Sequence, residues 1–267
     1  MLLKLEKTDY EQAISFLEKD YKANLLLMLD LEVYQNDLYD NIHSFCLKNK
    51  DNIIESILLV YNNALLYYDP NYKISFQEIK KIINEFKIHH LLISLKAYEY
   101  YKPQYDALNI KFKTQDLGEL NPKRFNILTN NEAKLLTDKS LIKEIVKSKV
   151  QIEEFSSVNY DLEVNELSNF FDKNLLWATY ILKDNQIVSS AKTVKNSFKK
   201  QLIMSVFTLK DYRNNGYAMQ VLNKLCEHIL NNEAIPLIFT DNIQAKRLYE
   251  KCGFEFNDKF ALITIKQ

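Results

Sequence analysis

The sequence predicts an α/β chain made of two similar units, and three observations carry that prediction. The chain has 267 residues, room for two domains at about 150 residues each. It is 47% apolar and 26% charged, as globular proteins are. Its 17 Tyr and 15 Phe supply enough surface for two cores, which excludes a disordered chain. Each half then reads helices, three strands, helix, strand, helix. This shared order suggests a duplicated unit, although no residue-level repeat is visible.

The first unit is expected over 1–125. Thr8-Asp9-Tyr10-Glu11 has capping-box spacing and opens a helix to about Lys19. A second helix is expected around Ala23–Tyr34. Ser44–Lys48, Ser56–Tyr61 and Ala64–Tyr68 are apolar and β-rich, and Asn62-Asn63 is a tight-turn signal between the last two. Phe76, Ile79, Ile82, Ile83 and Phe86 repeat at helical spacing. His90–Leu95 reads as a buried strand, and Tyr98–Leu108 as a helix broken by Pro103. The polar stretch Gln115–Asn131 is the expected linker.

The second unit is expected over 126–267. Asn131–Lys147 and Leu162–Phe171 read as helices. Trp177–Leu182 and Ile187–Val194 read as strands joined through Lys183-Asp184-Asn185-Gln186, a hairpin signal. Leu202–Thr208 is a third strand. Tyr217–Leu230 is a helix with Ala218, Val221, Leu222, Leu225 and Ile229 on one face. Pro236–Thr240 is a strand, Ile243–Lys251 a short helix, and Phe254–Ile265 a last β segment.

Charge and cysteine content narrow the class. Lys and Arg total 35 and Asp and Glu total 35, a formal net charge of zero. That argues against a chain devoted to nucleic acid. Cys46, Cys226 and Cys252 are widely spaced, so neither a zinc site nor a disulfide framework is implied. No metal is expected, and a reducing cytoplasm is the expected compartment. Charge enters at Lys4 and the longest early apolar run is Leu25–Leu29. No signal core and no membrane anchor are therefore expected.

Glycine is the informative residue. Only Gly118, Gly216 and Gly253 occur, where about nineteen would be usual. Gly216 lies in Thr208-Leu209-Lys210-Asp211-Tyr212-Arg213-Asn214-Asn215-Gly216-Tyr217-Ala218, between a strand end and a helix start. Backbone N–H groups at a helix start lack intrahelical partners and sit at the positive end of the dipole. Glycine there lets an anion approach the backbone, a geometry suited to phosphate or pyrophosphate. The stretch is neither a P-loop nor G-x-G-x-x-G. Asn242 and Tyr249 are seven apart, about the same face of the next helix, and Gly253 fits that helix's C-terminal cap.

Arg213–Ala218, followed by Asn242, Tyr249, Gly253 and Phe254, resembles the signature of the GNAT superfamily of acyl-CoA-dependent N-acyltransferases. The resemblance covers roughly Leu175–Ile265. It implies two GNAT-like units, each a mixed and mostly antiparallel sheet flanked by helices, the N-terminal one degenerate. It also implies acetyl-CoA as cosubstrate. The backbone of Val206, Phe207 and Thr208 would pair with the pantetheine arm, as at a splayed strand edge. The N–H groups of Arg213, Asn214, Asn215, Gly216, Tyr217 and Ala218 would hold the pyrophosphate. Asn242 would hydrogen-bond the cofactor arm, and Tyr249 would protonate the departing thiolate. The activity implied is acetyl transfer to a primary amine of a small molecule or amino acid by direct attack.

One departure matters. Many members carry a carboxylate on a splayed central strand, and here neither Leu202–Thr208 nor Pro236–Thr240 has one. The base is unassigned between water and Asp241. A non-catalytic acyl-CoA-binding module stays open for that reason. A tRNA-dependent aminoacyl transferase on a duplicated fold is disfavoured, since no basic stretch stands out. The N-terminal equivalent of the phosphate turn, Tyr67–Phe76, has no glycine, so no cofactor is expected there. A monomer or homodimer with no nucleic-acid or membrane partner is expected. Cys252 reads as a small buried residue, and Cys226 and His228 are too close on one helix to face each other.

Overall fold

A computed structural model of the protein describes residues 2–35 and 42–266. The chain forms two compact units, Met1–Asp116 with Asp258–Gln267, and Leu117–Asn257. A cut at 125/126 would leave the C-terminal strand with the second unit, whereas its residues from Asp258 on pack with the first.

The first unit contains β1 (Leu3–Lys4), α1 (Tyr10–Leu17), α2 (Tyr21–Gln35), β2 (Ile42–Lys48), β3 (Ile54–Tyr61), β4 (Ala64–Tyr68), α3 (Phe76–Glu85), β5 (His90–Ser94), α4 (Leu95–Tyr100) and α5 (Lys102–Asp106). Strand β6 (Ile110–Leu120) runs through the unit boundary. The sheet order is β1-β2-β3-β4-β5, closed by β12 (Phe254–Ile265). Pairing is antiparallel throughout except β4 with β5. Ile57–Val60 of β3 are all fully buried, as a strand covered on both faces must be. Asn62 takes φ +52° in the two-residue turn before β4, the left-handed conformation such a turn needs.

Three expectations fail here for local reasons. Near the N-terminus the reciprocal cap involves Glu6 and Asp9, not Thr8 and Glu11, with the Glu6 N–H donating to the Asp9 carboxylate at 3.2 Å. The expected linker begins as strand, because β6 continues to Leu120. The expected helix over Asn131–Lys147 starts only at Leu141. Side chains explain that last delay: Asn131 accepts from the Ala133 N–H at 2.9 Å and Asp138 from the Ser140 N–H at 2.8 Å. Such local bonds compete with helix formation.

The second unit adds β7 (Lys134–Leu135), α6 (Leu141–Lys149), α7 (Tyr160–Asp172), β8 (Leu176–Lys183), β9 (Gln186–Val194), β10 (Lys200–Thr208), α8 (Tyr217–Asn231), β11 (Ile235–Thr240) and α9 (Ile243–Cys252). Its sheet order is β6-β11-β10-β9-β8-β7. Pairing is antiparallel from β7 to β10 and parallel between β10 and β11. The Thr179 hydroxyl of β8 donates to the Val221 carbonyl of α8 at 2.8 Å, and Thr179 pairs with Ala191 of β9. The next β9 residue, Lys192, reaches Glu163 of α7. Neighbouring strand residues point to opposite faces, so α8 covers one face and α6 with α7 the other.

Candidate active site

Strands β10 and β11 pair in parallel only as far as Ile203 and Ile238. Beyond that point β10 bulges: its register with β9 shifts between Met204 and Phe207, and Ser205 takes φ +53°. A bulge bends the strand and releases it from its neighbour. The result is a V that opens toward the C-terminal ends of both strands. Its β10 side is held from behind, since the Ser189 hydroxyl donates to the Phe207 carbonyl at 2.7 Å and the Leu209 N–H to the Val188 carbonyl at 2.8 Å.

The chain then turns through the short 3-10 segment Lys210–Tyr212 into α8. Asn214 has φ +65° and Gly216 φ +75°. A Cβ on Gly216 would meet nothing within 4 Å, so the space in front of this backbone is open. The Asn215 amide braces the turn by donating to the Tyr212 and Arg213 carbonyls, both at 3.2 Å. The Arg213 guanidinium donates through Nε to the Thr208 carbonyl at 3.3 Å.

On the other arm, Asn242 caps α9. Its Oδ1 accepts from the N–H groups of Gln244 and Ala245 at 2.8 and 3.2 Å. That leaves the amide nitrogen to donate outward. Tyr249 is 7% exposed, and burial pushes its phenol up to about 12. It therefore keeps its proton across the physiological range. Gly253 ends the helix at φ +110°, where a Cβ would stand 3.2 Å from the backbone of Arg124 and Phe125.

A cavity of about 500 Å³ joins these parts. It is lined by Val206, Phe207, Thr208, Arg213, Asn214, Gly216, Tyr217, Ala218, Asn242 and Tyr249. Among the residues read from the sequence, Asn215 does not line it and acts behind the turn. The Arg213 N–H is also already engaged, donating to the Lys210 carbonyl at 3.3 Å. The usable donors thus start at Asn214. Asp241 is exposed and does not line the cavity.

Sequence reasoning missed Ile152, Glu154 and Phe155, which also line the cavity. They lie on the connection between α6 and α7, where no periodicity or motif marks them. A buried cluster anchors that connection. The Glu163 carboxylate accepts from Lys149 Nζ at 2.6 Å and Lys192 Nζ at 3.0 Å, and Lys149 lies 5.0 Å from the Phe155 ring. Burial alone would raise the Glu163 carboxyl, but Lys192 and Lys149 together hold it below its ordinary value. Burial, with the charge of Lys192, lowers Lys149.

The first unit treats its equivalent turn differently. Between β4 and α3 the buried Asp69 carboxylate accepts from the Lys73 N–H at 3.1 Å, the Ile74 N–H at 2.8 Å and the Ser56 hydroxyl at 2.7 Å. Its own carboxylate already engages the N–H groups of Lys73 and Ile74 in this turn. Asp69→Ala strands these donors, each hydrogen bond to a charged group contributing about 1.5–3 kcal/mol. The expected result is a melting temperature lower by roughly 10 °C, measured by differential scanning calorimetry.

Cys226 and Cys252 are both buried, and burial with their mutual interaction pushes the Cys226 thiol well up. Neither suits a nucleophile. Among the described residues no group of three His, Cys, Asp or Glu could hold a metal ion. No helix there is long and apolar enough to cross a membrane.

No curated protein matches the sequence. Among solved structures, a GCN5-related N-acetyltransferase from Sphaerobacter thermophilus superposes with a TM-score of 0.71 at 10% identity, covering 98% of this chain and 94% of that one. A GCN5-related N-acetyltransferase-like protein from Streptococcus suis gives 0.61 at 17% identity, covering 98% and 100%. A tandem GNAT protein from the clavulanic acid biosynthesis pathway gives 0.68 at 9% identity, covering 99% and 97%. These likenesses show the fold. The family model described as GNAT acetyltransferase matches residues 75–263, and with more than half of its length matched, the chain belongs to the GNAT acetyltransferase family.

Proposed function

We propose that the second unit transfers an acetyl group from acetyl-CoA to the primary amine of a small molecule. The observation that carries this reading is the continuous path from the open N-terminus of α8, through the V between β10 and β11, to the buried phenol of Tyr249. The N–H groups of Asn214–Ala218 hold the pyrophosphate at the positive end of the helix dipole. The free edge of β10 at Val206 and the Asn242 amide orient the pantetheine arm. Acetyl-CoA supplies an acyl thioester, which an amine attacks directly. Tyr249 donates its proton to the departing sulfur as general acid. Because its phenol is held up near 12, this step loses no proton donor between pH 7 and about 10.

Tyr249→Phe tests the assignment. Removing a general acid is expected to lower kcat by about a hundredfold, with acetyl-CoA affinity by calorimetry unchanged. Equal loss of binding would instead make Tyr249 a packing residue. The strands lining the V carry no carboxylate, which favours a second reading, a non-catalytic acyl-CoA-binding module. Thiol release with amines separates the two, because a binding module releases none. The first unit, with Asp69 filling its turn, takes no cofactor in this reading.

A further inference from the structure

One buried side chain on β9 decides which way the backbone of β10 faces inside the V. Phe207 stands opposite Ser190, and Thr208 opposite Ser189. Antiparallel pairs alternate between those that exchange ladder hydrogen bonds and those whose N–H and C=O point away from the partner strand. The Leu209 N–H donates to the Val188 carbonyl at 2.8 Å, so Leu209 faces β9 and its neighbour Thr208 faces away. The Phe207 carbonyl agrees with this, since it points toward β9 and accepts from the Ser189 hydroxyl at 2.7 Å. The peptide bonds of the described residues are trans, and a trans peptide holds its C=O and N–H on opposite sides. The Thr208 N–H is therefore aimed away from β9 and into the V, where β10 and β11 have stopped pairing after Ile203 and Ile238. Thr208 lines the cavity there.

Ser189 is fully buried and has one hydroxyl proton, which goes to the Phe207 carbonyl. In its 2.9 Å contact with the Thr208 hydroxyl, Thr208 is then the donor. One side chain thus grips the Phe207–Thr208 peptide twice, just after the bulge between Met204 and Phe207 has interrupted the ladder. The Thr208 carbonyl, which also faces away from β9, accepts from Arg213 Nε at 3.3 Å. Both carbonyls of this pair are engaged, and what the pair offers the V is a donor. We propose that Ser189 is a positioning residue of the donor site, turning the Thr208 N–H to meet a carbonyl oxygen of the acyl-pantetheine arm. Arg213 assists by holding the Thr208 carbonyl, whose partial negative charge would otherwise oppose that oxygen. Ser189 touches no ligand itself and acts through the Phe207–Thr208 peptide. The inference rests on the acetyl-CoA reading above.

The test compares the intact wild-type protein with Ser189→Ala and Ser189→Thr, with acetyl-CoA as the probe. Ser189→Ala removes one oxygen and no packing carbon, so the fold is kept. Its calorimetric affinity for acetyl-CoA is expected to fall about tenfold, the worth of one well-placed hydrogen bond. Ser189→Thr keeps the hydroxyl and should stay within about threefold of wild type. Amide hydrogen exchange at Thr208, read by NMR, gives a signal that a merely structural role would not move. Acetyl-CoA should slow exchange of that amide by about tenfold or more in the wild type and in Ser189→Thr, and much less in Ser189→Ala. Wild-type affinity in Ser189→Ala, equal losses in the Ala and Thr variants, or an unchanged Thr208 exchange rate when acetyl-CoA binds the wild type would each overturn the proposal. Failure of acetyl-CoA to bind the wild type would instead sink the acetyl-CoA reading, and this proposal with it.

Discussion

Gly216→Asp is expected to weaken acetyl-CoA binding by two orders of magnitude or more while the protein stays folded. The substitution suits the backbone better than most. Gly216 sits at φ +75° with nothing within 4 Å of a Cβ, and Asp tolerates the left-handed region better than other residues. Its charge, however, would stand where a pyrophosphate must lie. Like charges about 4 Å apart near a protein surface repel by about 4 kcal/mol, and each 1.4 kcal/mol is tenfold in affinity. Gly216→Asn is the control, with the same backbone tolerance and no charge. It should lose less than about tenfold, since only the local approach is altered. Calorimetric titration of the two variants separates charge from shape. Equal losses in both would mean the turn holds no anion.

Glu163→Ala is expected to destabilise the second unit by about 3–5 kcal/mol, the usual effect of removing one partner from a buried ion pair. Lys149 and Lys192 would be left buried against each other, side chains only 8% and 12% exposed. The melting temperature should fall by roughly 10 °C. Replacing all three residues by apolar ones of similar size should recover most of the loss, because the desolvation of three charges disappears with their attraction. The pH dependence follows from the direction of the shift. The folded Glu163 carboxyl is held below its ordinary value, so its contribution is present above about pH 4.3, the unfolded value. It is lost as pH falls through the lower folded value. An acid titration of stability should show that loss in the wild type and not in the apolar triple variant.

How far the sequence could be read depends on how local each feature is. The turn into α8 and the Asn242–Tyr249 face of α9 are set by neighbours within two helical turns, and they were legible. The positive φ at Asn62, Asp184 and Asn185 likewise follows from turn residues between β-rich runs. The α6–α7 connection was not legible, because it is anchored by the pairing of Glu163 with Lys149, 14 residues apart, and with Lys192 on another strand. The late start of α6 came from two side chains outcompeting a helix whose apolar spacing was otherwise adequate. The move of Asp258–Gln267 into the first unit is a matter of strand pairing, Phe260 with Ser94 through Thr264 with His90. No local pattern encodes that. Asp69 shows the same limit in a site residue: the missing glycine was visible, but the carboxylate filling the turn was not.

The central claim is that one acyl-CoA site exists per chain and that it lies in the second unit. Titrating acetyl-CoA into the wild-type protein by calorimetry tests it most directly, because the stoichiometry distinguishes one competent unit from two or none. One equivalent per chain, abolished by Gly216→Asp and retained in Tyr249→Phe, is the predicted result. Two equivalents would contradict the reading of Asp69 as filling the first turn, and no binding would contradict the site itself.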